Sequence, residues 1–129
     1  MDNINIPISP GELLDKITIL EIKSTQIKNK DKLSNVENEL QQLHQIWQRS
    51  PFNKDDIHLL KLELKENNQN LWDIEDKIRI KESSKEFDSE FIELARSVYI
   101  QNDKRAATKR KINQQLGSSI IEEKSYAEY

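Results

Sequence analysis

Stepping by threes and fours through Phe91, Leu94, Val98, Asn102, Arg105, Lys109, Ile112 and Leu116 traces one unbroken stripe. Positions spaced that way share one face of an α-helix, so the stretch reads as a single long helix with a core-facing side. The ends of the stripe are apolar. Its middle carries Asn102, Arg105 and Lys109 instead. An unpaired charge in a core is very costly, so these groups require partners. Either the rest of the protein supplies carboxylates, or a ligand supplies negative charge.

The same periodicity recurs upstream. Ser9 is placed as an N-cap, Pro10 as the first helical residue, Glu12 as the far half of a capping box, and Ile8 with Leu13 as a hydrophobic staple. Helix one then runs over about residues 10–28, with Leu13, Ile17, Leu20, Ser24 and Ile27 as its stripe. Leu14, Ile19 and Ile22 widen that face, which predicts contact with more than one neighbour. The polar run 29–32 marks a break, and helix two spans about 31–49 on Leu33, Val36, Leu40, Leu43 and Trp47. Ser50-Pro51 ends it, because the residue before proline avoids helical geometry. Helix three starts at Asn53 or Asp55 and reaches about Glu82, on Ile57, Leu60, Leu64, Asn67, Leu71, Ile74 and Ile78. Helix four runs from its N-cap Asp88 to Gly117.

Short turns between amphipathic helices give an all-α fold: an elongated antiparallel bundle of about four helices. Residues 1–129 form one domain, with an extended N-terminal arm (1–9), helices (10–117) and a partly docked C-terminal tail (118–129). Ile120, Ile121, Tyr126 and Tyr129 are the tail residues expected to dock. Only 2 glycines and 3 prolines occur, too few for a loop-rich β protein. Cysteine is absent, which removes disulfides, thiol nucleophiles and thiolate metal sites. The net charge of −3 argues against a general nucleic-acid coat. No apolar run approaches the roughly 20 residues needed to cross a bilayer, and the N-terminus does not read as a secretory signal. The expected location is the cytoplasm, without membrane insertion.

Three constellations could carry chemistry. In an antiparallel hairpin the middle of helix three, with Asn67 and also Asn68 or Glu75, faces Asn102, Arg105 and Lys109. Such a block reads as a pocket for a phosphate, sugar phosphate or carboxylate, since the guanidinium fork binds two oxygens at once. It also reads, and first, as an internal polar layer that sets helix register. Second, helix four is basic from Arg96 to Lys111 and helix three is acidic from Glu63 to Asp76. That is read as electrostatic pairing of the two helices rather than as an RNA or DNA patch. Third, carboxylates three apart (Glu63 with Glu66, Asp73 with Asp76, Glu90 with Glu93) could hold Mg²⁺. Only Glu63-x-x-Glu66 resembles an element of the all-α nucleotide pyrophosphohydrolases, and no metal or cofactor set is complete. His44 and His58 read as surface residues, and Trp47 and Trp72 as core or interface.

The segments Pro7–Lys23, Leu71-Trp-Asp-Ile-Glu-Asp76, Phe91–Tyr99, Asn102-Asp-Lys-Arg-Ala106, Lys109–Asn113 and Glu122-Glu-Lys-Ser-Tyr126 together resemble a small bacterial and phage family of unknown function. The resemblance spans nearly the whole chain. It implies no activity, and its one hint is an association with surface-glycan and lipopolysaccharide genes. Three functions are compatible with these residues. The first is a non-enzymatic binding or accessory module whose polar centre takes an anionic metabolite or a helical protein partner. The second is a small helical enzyme for a phosphorylated or carboxylated metabolite, such as a Mg-dependent nucleotide pyrophosphohydrolase, with Arg105 and Lys109 as clamp, Asn102 orienting, and Glu75 or Asp76 as acid–base or metal groups. The third is a structural homo-oligomer.

Overall fold

The computed structural model describes residues 3–129, apart from the side chain of Lys54. Met1 and Asp2 of the expected arm lie outside the described residues. The described residues form α1 (Pro10–Gln26), α2 (Lys30–Arg49), a 3-10 turn (Pro51–Lys54), α3 (His58–Ser83) and α4 (Ser89–Leu116), with no strand among them.

Local chemistry accounts for the boundaries. The Ser9 hydroxyl oxygen accepts from the Glu12 N–H at 3.1 Å, and Pro10 follows the cap. The Glu12 carboxylate, however, lies 2.9 Å from the Lys109 ammonium on α4. Only half of the expected capping box therefore forms, because a tertiary ion pair has taken the other half. Ile27 is extended and Asn29 caps α2, accepting from the Lys32 N–H at 3.0 Å, so α1 and α2 are separate helices. The chain after Ser50 winds a 3-10 turn before α3, which starts at His58 rather than at Asn53 or Asp55. Buried Ile57 anchors that start to the core. Asp88 caps α4, and Gly117 follows it at φ 67°, a conformation that suits glycine.

α3 and α4 form an antiparallel hairpin. Gln115 bonds Asp56, Lys111 meets Glu63, and Thr108 meets Asn67, so one helix descends as the other rises. α1 lies across the lower half of this hairpin. Its first turn rests on α4, where Gly11 meets Asn113 and Glu12 meets Lys109. Its later turns rest on α3, where Thr18 meets Asn68 and Glu21 meets Lys61 and Lys65. The wide apolar face of α1 is explained by this, since α2 folds back on its remaining side. The core unites Leu13, Leu14, Ile17, Ile57, Leu64, Ile112 and Leu116, with Leu40, Leu43 and Trp47 of α2 packed against it.

Buried residues occur only at 9–22, 36, 57–68 and 108–116 among the described residues. The upper half of the hairpin, residues 69–107, buries nothing fully and stands about 22 Å beyond the core at 1.5 Å per residue. The arm touches α2 through Asn3 and Gln42, while Ile4 and Ile6 stay exposed. The tail docks on α4, but by polar contacts: Glu122 to Lys109, Glu123 to Arg110 and the Tyr129 hydroxyl to Asp103. Of its apolar residues, Tyr129 meets the Tyr99 ring edge-on, and Ile120, Ile121 and Tyr126 remain exposed. No helix of the described residues is long and apolar enough to cross a membrane.

Candidate functional site: a charged layer and the cavity beside it

Where α1 crosses the hairpin, a carboxylate stands in the core. Asp15 is 1% exposed. Its Oδ1 accepts from Arg105 Nε at 2.9 Å and from Asn68 Nδ2 at 2.9 Å, and its Oδ2 accepts from Arg105 Nη2. This is the fork-to-carboxylate geometry that arginine permits and lysine does not. Burial pushes the Asp15 carboxyl up, but the hydrogen bonds from Arg105 and Asn68 and the charges of Arg105 and Lys109 outweigh it and hold it below the usual range. Donating to Asp15 holds Arg105 above its ordinary value despite partial burial.

The layer extends in both directions. Asn68 Nδ2 also reaches Thr18 Oγ1 at 3.0 Å, and Asn67 Nδ2 donates to Thr108 Oγ1 at 3.0 Å. Asn113 Oδ1 accepts the Gly11 N–H at 2.7 Å, satisfying one of the donors that a helix start leaves unpaired. A methyl on Gly11 would lie 2.7 Å from the Lys109 carbonyl oxygen, so glycine there permits the close approach of α1 and α4. Lys109, itself buried, places its ammonium 2.9 Å from Glu12 and 2.9 Å from Glu122 of the tail. Burial pushes it down, but those two carboxylates overcome that and keep it charged above its usual range.

Of the sequence-derived set, Asn102, Arg105 and Lys109 are brought together. They line one cavity of about 250 Å³, shared with Lys124, Glu12 and Glu122. Asn102 Oδ1 accepts from Arg105 Nη1 at 3.4 Å. Of the five guanidinium N–H groups, two remain without a protein partner among the described residues. Asn67 belongs to the same layer but is held by Thr108 rather than by Arg105 or Lys109. A groove of about 470 Å³ opens around Arg105 and Asn102 toward Trp72, Glu75, Asp76 and Arg79. A larger cleft of about 970 Å³ lies between α4 and the end of the tail, with Lys124 on its wall.

The expected electrostatic pairing of α3 with α4 is largely replaced. Arg105 goes to α1, Lys109 to α1 and the tail, Arg110 to the tail, and Arg96 to Glu93 of its own helix. Lys111 with Glu63, at 3.7 Å, is the pair that follows the expectation. The physical reason is that the basic face of α4 turns toward α1 rather than toward α3. The carboxylate pairs are also engaged separately: Glu63 with Lys111, Asp73 with Gln69, Glu90 with Lys81 and Glu93 with Arg96. No group of three or more His, Asp or Glu side chains among the described residues stands as a metal ligand set.

Sequence reasoning missed Asp15, Thr18 and Asn113. A signal existed: Gly11, Asp15 and Thr18 step by four and three along α1. That is a second stripe of small and polar residues, set beside the apolar one.

The fold and this layer define an all-α helical bundle with a neutralised charge network at its centre. The chain belongs to a family of unknown function (DUF6165), which it matches over residues 4–129. No curated protein and no solved structure matches it.

Proposed function

We propose that this protein is a non-enzymatic binding module that holds a small organic anion in the cavity of Asn102, Arg105, Lys109 and Lys124. The observation that carries the reading is the tail carboxylate of Glu122, half exposed and 2.9 Å from the buried Lys109 ammonium. A cavity whose buried cation already meets two carboxylates, Glu12 and Glu122, is chemically suited to an anion in place of the tail's. An incoming phosphate or carboxylate replaces Glu122, so one anion exchanges for another and no buried charge is left alone. The two remaining N–H groups of Arg105 and the Asn102 amide give the ligand direction. Asn67 supports the site from the next layer by holding Thr108, the neighbour of Lys109. The surface-glycan setting that the sequence resemblance implies favours a sugar phosphate or an acidic sugar.

The test is thermal shift and calorimetry with inorganic phosphate, a hexose 1-phosphate and a hexuronate. A ligand at about 100 times its dissociation constant stabilises by about 2.7 kcal/mol, several degrees for a domain of this size. Lys109→Met should abolish the shift, and Glu122→Gln should enlarge it by removing the internal competitor. Absence of any shift in both the natural chain and Glu122→Gln would leave the layer a purely structural device.

One observation favours a second reading, a small enzyme for a phosphorylated or carboxylated metabolite. Glu75 and Asp76 share a groove with Asn102 and Arg105. Mg²⁺-dependent turnover of nucleoside triphosphates that disappears in Asp76→Asn would establish it over the binding module.

A further inference from the structure

We infer that the groove beside Arg105 is the seat of a pyranose ring, so that the anion in the neighbouring cavity is the phosphate or carboxylate of a sugar. This rests on the anion-binding reading above and adds to it a second subsite, with the residues that recognise the body of the ligand.

The first observation is a shared wall. Asn102 and Arg105 line both the anion cavity of about 250 Å³ and the groove of about 470 Å³. The groove falls within the range of about 300–1,000 Å³ that holds small organic ligands, and the cavity falls below it. A charged group therefore suits the cavity, and the body that carries it suits the groove. Arg105 keeps one N–H free on each terminal nitrogen among the described residues. A guanidinium on the wall between the two spaces can donate to both parts of one ligand.

The second observation is an aromatic surface. Trp72, half-buried, lines the groove with Ile19, Ile22 and Leu71. The indole face is electron-rich, so it attracts C–H groups that carry partial positive charge. One face of a pyranose presents such C–H groups, while its hydroxyls point outward to the rim.

The third observation selects a polyol over a nucleobase. Asn68, 6% exposed and on the groove wall, donates its amide hydrogens to Asp15 and Thr18. Its carbonyl oxygen accepts no hydrogen bond among the described residues. Asp76, also on the groove, has no hydrogen bond or ion pair from its side chain there, and Glu75 accepts from Arg79 through one oxygen alone, at 3.2 Å. These groups are acceptors in want of donors, and an acceptor left unpaired in a buried place is costly. Every sugar hydroxyl brings an O–H. A nucleobase edge alternates donors with acceptors, and its acceptors would meet carboxylates.

Fluorescence and calorimetry on the full chain test this. Trp47 and Trp72 are its two tryptophans, so Trp47→Phe leaves emission that reports the groove alone. The probes are inorganic phosphate, the 1-phosphates of glucose, galactose and mannose, and adenosine 5′-monophosphate. At least one hexose 1-phosphate should bind about tenfold tighter than inorganic phosphate and shift the Trp72 emission, which inorganic phosphate should leave unmoved. Asp76→Ala alters an exposed helical position, so the fold persists by circular dichroism. It should weaken the hexose 1-phosphate by about tenfold and leave inorganic phosphate unchanged, and Trp72→Leu should do the same. Inorganic phosphate binding as tightly as every hexose 1-phosphate, with Trp72 emission unmoved, overturns the ring subsite and leaves the anion cavity standing. Adenosine 5′-monophosphate binding tighter than every sugar overturns it in favour of a stacked base. Binding of none of the probes overturns both the subsite and the reading it rests on.

Discussion

Removing either half of the Asp15–Arg105 pair should not cost the same. In Arg105→Met, a carboxylate that is 1% exposed loses two of its three accepted bonds and keeps only that from Asn68. Breaking a buried pair from one side costs about 3–5 kcal/mol, and the surviving Asn68 bond places this variant near the lower end of that range. In Asp15→Asn the orphan is Arg105, whose side chain is 29% exposed and can turn to water. That loss should be about 1–2 kcal/mol. Neutralising both members should cost less than Arg105→Met alone. The pH dependence sharpens the contrast. In the natural protein Asp15 titrates below its unfolded value of about 3.9, so its stabilisation is present above that value and is lost as pH falls through the folded one. In Arg105→Met burial remains while its chief opponent is gone, so the folded value rises above the unfolded one. The variant then regains stability relative to the natural protein as pH falls from about 7 toward 4. Urea unfolding followed by circular dichroism at both ends of that range reads the gap. If Arg105→Met costs no more than Asp15→Asn, or if the gap is the same at both pH values, the buried-carboxylate account is wrong.

Gly11→Ala should destabilise by about 1–3 kcal/mol in the same assay, since the new methyl meets backbone oxygen at 2.7 Å and cannot be accommodated by a side-chain rotation. Leu64→Ala, at a fully buried position, should cost about 2–5 kcal/mol, and Val98→Ala in the upper hairpin clearly less. Hydrogen exchange on the same protein should show residues 60–68 and 108–116 protected longer than 71–100, where nothing is buried. Lys85 holds φ 55° in the turn between α3 and α4, so Lys85→Gly should raise stability by about 0.5–1 kcal/mol in thermal unfolding. A loss of stability there would mean the turn is held by something other than backbone strain.

Much of the fold could be read without coordinates because its signals are local. Ser9-Pro10, Asp88 and Gly117 act within one helical turn of themselves, and each marks its helix end as expected. The stripe of α3 from Ile57 to Leu64 faces the core for the same reason. α3 starts at His58 rather than at Asn53 or Asp55 because residues 51–54 wind a 3-10 turn and its N-cap, Ile57, has no capping side chain to mark the boundary.

Spacing along the chain and the cost of a buried charge suffice for the helices, their caps and the demand for partners around Arg105 and Lys109. Who answers that demand is settled by packing in three dimensions. Asp15 lies 90 positions from Arg105, and Glu12 is 97 before Lys109. Which carboxylate reaches a given cation depends on how α1 crosses the hairpin. That crossing is set by Gly11 against α4 and by the packing of three helices at once, which no periodicity along a single chain encodes.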